Sequence, residues 1–108
     1  MKALLASLLL IISFSSQANN GNELYEGYKE YKKEPSSDWY KVGLYIGYVD
    51  GVTETLGRLG SICIPSTVTK GQAFDMVGKF LEDNPAQRNK SAAVLIYAVM
   101  LAAFPCEE

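Results

Sequence analysis

The sequence predicts a small all-α domain, a bundle of about four helices stapled by one disulfide and preceded by a removable leader. Three observations predict it. Apolar residues recur at spacings of three and four, and no stretch alternates in the manner of a half-buried strand. Residues 1–18 have the layout of a secretory signal peptide. The chain has two cysteines, Cys63 and Cys106, and both lie beyond that leader.

The leader opens on the short basic start Met1-Lys2, followed by an apolar run over residues 3–14 broken only by Ser7 and Ser13. Ser16-Gln17-Ala18 then supplies small residues three and one before a break, so cleavage is expected after Ala18. The apolar stretch is well short of the roughly 20 residues that span a bilayer, so export is expected rather than stable membrane insertion. That leaves a domain of residues 19–108, with nine Lys and Arg against twelve Asp and Glu, net −3. Such a balance lacks the basic excess that nucleic-acid binding needs. The chain has no histidine, which removes Ser-His-Asp and Cys-His catalysis together with the commonest zinc ligand. Without a phosphate loop, a metal-ligand cluster or a nucleophile-base pair, no enzyme activity, cofactor or metal is expected.

A 90-residue domain buries only a modest core, and a covalent staple suits it. Two exported cysteines allow one intramolecular connectivity, Cys63 to Cys106. The bridge closes a loop of about 44 residues, worth on the order of 4 kcal/mol in the chain-entropy model. The pair is too far apart in sequence for a redox-active C-x-x-C site.

The elements follow in order. Asn22 is the expected cap of a first helix over 23–33, with Leu24, Tyr25, Tyr28 and Tyr31 at helical spacing and Lys29, Lys32 and Lys33 near its end. Glu34-Pro35-Ser36-Ser37 breaks it, and Ser37 or Asp38 caps a second helix from Trp39 to about Leu59. Trp39, Val42, Tyr45, Ile46, Val49, Val52 and Leu56 fall within one arc of that helix and are expected inward. Gly43, Gly47 and Gly51 run down the opposite side. Each costs roughly 1 kcal/mol against alanine, so a close contact is expected there. An internal helix crossing is the first expectation, and a subunit or partner contact the second. Asp50, Glu54 and Arg58 share that side as a solvated charged face, with Glu54 and Arg58 an i,i+4 pair.

A loop holding Cys63 and Pro65 leads to Thr69-Lys70-Gly71-Gln72, a capping box that starts a third helix reaching about Glu82. Ala73, Phe74, Val77, Phe80 and Leu81 are expected inward. Residues 82–90 are polar and charged and predict an exposed turn. The last helix, from Ala92 to Phe104, is apolar on all sides yet too short to cross a membrane, which predicts a buried central helix. Pro105 stops it. Seven tyrosines are a further excess, suited either to a core rim or to a protein interface.

Several blocks together resemble a known family. They are Gly21-Asn22-Glu23-Leu24, Ile46-Gly47-Tyr48-Val49-Asp50-Gly51, Cys63-Ile64-Pro65 with Val68-Thr69-Lys70-Gly71-Gln72, Phe80-Leu81-Glu82-Asp83-Asn84-Pro85 and Ala103-Phe104-Pro105-Cys106. In this order they resemble the type VI secretion immunity proteins of the Tai/Rap kind. The resemblance implies an all-α fold with the Cys63–Cys106 bridge and a periplasmic role. It also implies binding to a peptidoglycan amidase effector, whose active-site cleft is blocked by occupancy. Several members are dimers, so a homodimer is a second implied partner state. Members often carry another cysteine pair near the positions of Tyr28 and Tyr45, which this chain lacks.

The family motifs do not specify which residues touch an effector. The exposed turn supplies the candidates Glu82, Asp83, Asn84, Gln87 and Arg88, since a protruding polar loop can enter a cleft. Peptidoglycan-directed enzymes are often basic, and acidic residues would steer them. The alternative to the immunity reading is a small periplasmic acid-stress chaperone.

Overall fold

The first helix begins earlier than its polar lead-in predicts. In the computed structural model, which describes residues 19–107, α1 spans Gly21–Lys32. The leader expected over residues 1–18 lies outside the described residues. Asn20, not Asn22, is the cap, and its side chain accepts from the Glu23 N–H at 3.1 Å. The helix starts there because the backbone just before it is already fixed. Asn20 pairs antiparallel with Ser91, and the Asn19 carbonyl accepts from the Ala92 N–H at 3.0 Å.

Helix α2 spans Trp39–Arg58, capped by Asp38, which accepts from the Lys41 N–H at 3.1 Å. Helix α3 spans Lys70–Asp83, and its capping box is complete: Thr69 Oγ1 accepts from the Gln72 N–H and Gln72 accepts from the Thr69 N–H. A single 3-10 turn, Pro85–Gln87, leads to α4 at Ala92–Ala103. Among the described residues the fold is therefore four helices without a strand, held by the Cys63–Cys106 bridge. The Cys63 N–H also donates to the Phe104 carbonyl at 2.9 Å, so the loop after α2 and the end of α4 are joined by both bonds.

The core gathers Leu24 and Tyr28 from α1, Tyr45 and Val49 from α2, and Ile62 from the following loop. Phe74, Val77 and Leu81 join from α3, and Leu95, Ile96 and Met100 from α4. An aromatic cluster fastens α1 to α2 and α3. Tyr28 and Tyr45 lie 5.6 Å apart by ring centroids, Tyr31 packs edge-on to Phe74 at 5.8 Å, and the Tyr45 hydroxyl donates to the Phe74 carbonyl at 2.6 Å. Burial pushes the Tyr45 hydroxyl far above its usual pKa, so it stays a donor across the ordinary pH range. The resemblance places a second bridge near these two tyrosines, and here tilted aromatic packing occupies that place.

The close helix crossings are not where the glycine stripe predicts them. A Cβ on Gly43, Gly47 or Gly51 would meet nothing within 4 Å, so the expected internal crossing is corrected: this side of α2 is open. The reason is that the opposite side, with Val42, Tyr45 and Val49, already faces the other helices. The crossing that needs glycine is at Gly27 on α1. A Cβ there would stand 2.8 Å from Tyr45 Cβ and 3.0 Å from the Lys41 carbonyl, atoms that no rotamer change can move. Gly27→Ala is therefore expected to cost about 2 kcal/mol by overpacking, read as a lower urea midpoint at unchanged slope. An unchanged midpoint would show that the helices can part at no cost.

Two further expectations are corrected. Trp39, expected inward, is 71% exposed, because it is the first residue of α2 and lies beyond the crossing near Lys41 and Tyr45. Helix α4 touches all three other helices but is not a buried central helix. Its neighbours cover one side, with Ala92, Leu95, Ile96 and Met100, and leave the other bare.

Candidate partner-binding surfaces

Of the five residues predicted for partner contact, Glu82 and Asp83 end α3, and Asn84, Gln87 and Arg88 lie in the turn that follows, so the structure gives them different surroundings. Glu82 and Asp83 are exposed on the last turn of α3, both beside Lys79 at 3.9 and 3.1 Å. The hydrogen bond to Asp83 raises the Lys79 pKa. Asn84 is half-buried and donates back to the Phe80 carbonyl at 2.9 Å, ending the helix. Gln87 is half-buried at the end of the 3-10 turn. Arg88 is folded inward: its Nε donates to the Leu81 carbonyl at 2.7 Å and its guanidinium lies over the Tyr25 ring at 4.1 Å. The turn is thus a folded, half-buried element with two outward carboxylates at the α3 end before it, rather than a solvated linker.

A second surface is apolar. Val94 is 56% exposed, Tyr97 and Leu101 each 37%, and Ala98 lies open between them. These four residues recur at spacings of three and four, so they form one stripe of α4. None of the twelve residues of α4 is charged. Sequence reasoning missed this surface, although the signal was present: a helix apolar all round in a domain this small has nothing left to cover both sides. Exposed Leu59 stands near the same end of the molecule, since the neighbouring Gly60 carbonyl is 3.5 Å from Cys106 Sγ.

The outer side of α2 is a third surface, with the open glycines flanked by exposed Trp39, Tyr40 and Leu44. Tyr40, Leu44, Tyr45 and Tyr48 also line a cleft of about 240 Å³ against Leu24 and Gly27 of α1. The tyrosines thus divide. Tyr28 and Tyr45 are core, Tyr25, Tyr31 and Tyr48 pack partly against it, and Tyr40 and Tyr97 face outward. Glu54 and Arg58 form the expected pair at 3.1 Å, and Asp50 meets Lys70 at 3.1 Å. No helix among the described residues is long and apolar enough to cross a membrane.

Comparison with protein families decides what this arrangement belongs to. The model of the Rap1a immunity proteins matches residues 20–106, nearly the whole of the described domain. The chain belongs to the Rap1a immunity proteins. This is the type VI secretion immunity family of the Tai/Rap kind that the ordered sequence blocks resemble. No curated protein matches the chain. In this Rap1a-family protein those blocks are mainly architectural. Cys63-Ile64-Pro65 meets Phe104-Pro105-Cys106 at the bridge, Val68-Thr69-Lys70-Gly71-Gln72 builds the α3 cap, and Gly21-Asn22 lies against the α3–α4 turn.

Proposed function

We propose that this protein is an exported periplasmic immunity protein that binds a type VI secreted peptidoglycan amidase and blocks its active-site cleft by occupancy. The observation that carries this reading is the family match across residues 20–106. Inhibition by occupancy asks for a rigid surface and no reacting group of its own. A folded turn with outward Glu82 and Asp83 suits that task, because acidic groups speed encounter with a basic enzyme and a preorganised turn loses little freedom on binding. Glu82, Asp83, Asn84, Gln87 and Arg88 form or shape the effector-facing surface.

The protein works as a pair, joined through the bare stripe of α4. The second copy is the favoured occupant because the stripe is uncharged, which gives a secreted partner no electrostatic guidance. Ala98, between Val94 and Leu101, also lets an identical helix approach closely, as a two-fold contact requires.

The test is survival. Cells that send the amidase encoded beside this protein to their periplasm should lyse, and co-expression of the exported protein should restore growth. Lysis that continues despite ample exported protein would refute the reading, and so would rescue by a form retained in the cytoplasm.

A further inference from the structure

The start of the described chain lies in antiparallel register against the turn that the functional reading assigns to the effector. The Ala92 N–H donates to the Asn19 carbonyl at 3.0 Å, and Asn20 pairs with Ser91. The Gly21 N–H donates to the Lys90 carbonyl at 3.0 Å and the Asn22 N–H to the Arg88 carbonyl at 2.8 Å. Gly21 is pressed so closely against the turn that a Cβ would stand 2.8 Å from the Arg88 Cα and 2.5 Å from Leu95 Cδ1. Arg88 closes the arrangement from the other side, through the Leu81 carbonyl and the face of Tyr25. Residues 84–91 therefore draw their shape from residues 19–22 as much as from α3 and α4.

We propose that residues 19–22 are a clasp that sets the shape of the effector-facing turn, with Arg88 a positioning residue rather than an effector contact. Cleavage after Ala18 makes this clasp the extreme end of the mature chain. Its four residues have no charged side chain, and the one charge they bring is the α-ammonium that cleavage leaves on Asn19. They act by holding Asn84, Gln87 and the α3 end bearing Glu82 and Asp83 in one geometry, so the turn meets its partner already formed. The arrangement also explains why a polar turn folds its one arginine back onto the domain, half-buried. A side chain spent on Leu81 and Tyr25 is unavailable to a partner, but it stops the turn from opening.

Trypsin reads the clasp directly, because it cuts after Arg88 and Lys90 within the turn and after Lys33 in the α1–α2 connection, which serves as an internal reference. The proposal rests on the immunity reading only for the partner's identity, so this first readout uses no effector. In mature protein, Gly21→Val and a chain beginning at Asn22 should both raise cutting at Arg88 and Lys90 by about tenfold relative to Lys33, with helical circular dichroism retained. Arg88→Ala should raise cutting at Lys90 in the same way. Should Gly21→Val fail to fold, the shortened chain supplies the same comparison without a clash. Unchanged relative cutting in the shortened chain would overturn the clasp.

The second readout is the amidase that the unmodified mature chain inhibits. Arg88→Ala and the clasp variants should each weaken its binding by about tenfold, chiefly through faster dissociation. An Arg88→Ala protein that loses binding while Lys90 stays protected would make Arg88 a contact and refute its positioning role. If no amidase is inhibited at all, the immunity reading falls while the trypsin result still decides the clasp.

Discussion

Replacing Cys63 and Cys106 together with serine should lower the thermal midpoint of the mature domain by about 20 °C. The estimate follows from the loop of about 44 residues that the bridge closes, worth on the order of 4 kcal/mol, and from the roughly 4–8 °C per kcal/mol by which a domain of this size responds. The bridge lies between the loop after α2 and the end of α4, so everything from α3 to α4 is inside the closed loop. Only the Cys63 to Phe104 hydrogen bond would remain to hold these two segments together by backbone pairing. Since such domains have about 5–15 kcal/mol in total, the reduced protein should still fold at room temperature but with little margin. Scanning calorimetry of the double-serine protein tests this, and so does the native protein after reduction. A midpoint within about 5 °C of the bridged form would mean that packing alone supplies the stability, contrary to what the area available to a small domain suggests.

The second large effect concerns the bare stripe of α4. Placing an ammonium in it, as in Leu101→Lys, should convert the proposed pair into single chains, because a charge buried without a partner in an apolar contact costs several kcal/mol. The expected weakening of self-association is at least about a hundredfold. Leu101 is already 37% exposed in the single chain, so the monomer itself should be little disturbed and its circular dichroism should not change. Light scattering at micromolar concentration separates the outcomes. A wild-type protein that is monomeric throughout would remove the second copy as occupant. If Leu101→Lys left self-association intact but abolished amidase binding, the stripe would belong to the effector instead.

The parts of this fold written locally in the chain are the parts the sequence reveals. Thr69 and Gln72 satisfy each other within four residues, so the start of α3 needs no tertiary information. The inward arc of α2 through Val42, Tyr45 and Val49 follows from helical spacing alone, and a count of two cysteines leaves one possible pair. What escapes is whatever depends on the position of other elements. Spacing shows that Gly43, Gly47 and Gly51 share a side, but not that no helix comes to meet it. Helix α4 has no polar side to mark the direction of solvent, so its bare stripe is invisible until its neighbours are placed. Gly27 forms no pattern with other glycines, and yet it is where two helices touch.

The candidate site divides along the same line. That residues 82–88 are a polar stretch in which α3 ends is legible, because charge and Pro85 are local signals. That Arg88 turns inward to Leu81 and Tyr25 is not, since its partners lie on two different helices. The pairing of residues 19–22 with 88–92 joins segments nearly seventy positions apart, and neither segment has the alternation that would announce a ladder. The family match reaches past these gaps to a family of immunity proteins, and the candidate surfaces come from the packing.

The most direct measurement of the central claim is a titration of amidase activity on purified peptidoglycan with the mature, oxidised protein. The enzyme to use is a peptidoglycan amidase sought among the products of the neighbouring genes, as the proposed function requires. Binding that occludes the cleft predicts a linear fall in activity that reaches zero at one protein chain per enzyme, with Glu82→Lys and Asp83→Lys together shifting the curve to weaker, concentration-dependent inhibition. Full hydrolysis in the presence of excess protein would contradict the account, as would stable binding that leaves the rate of hydrolysis unchanged.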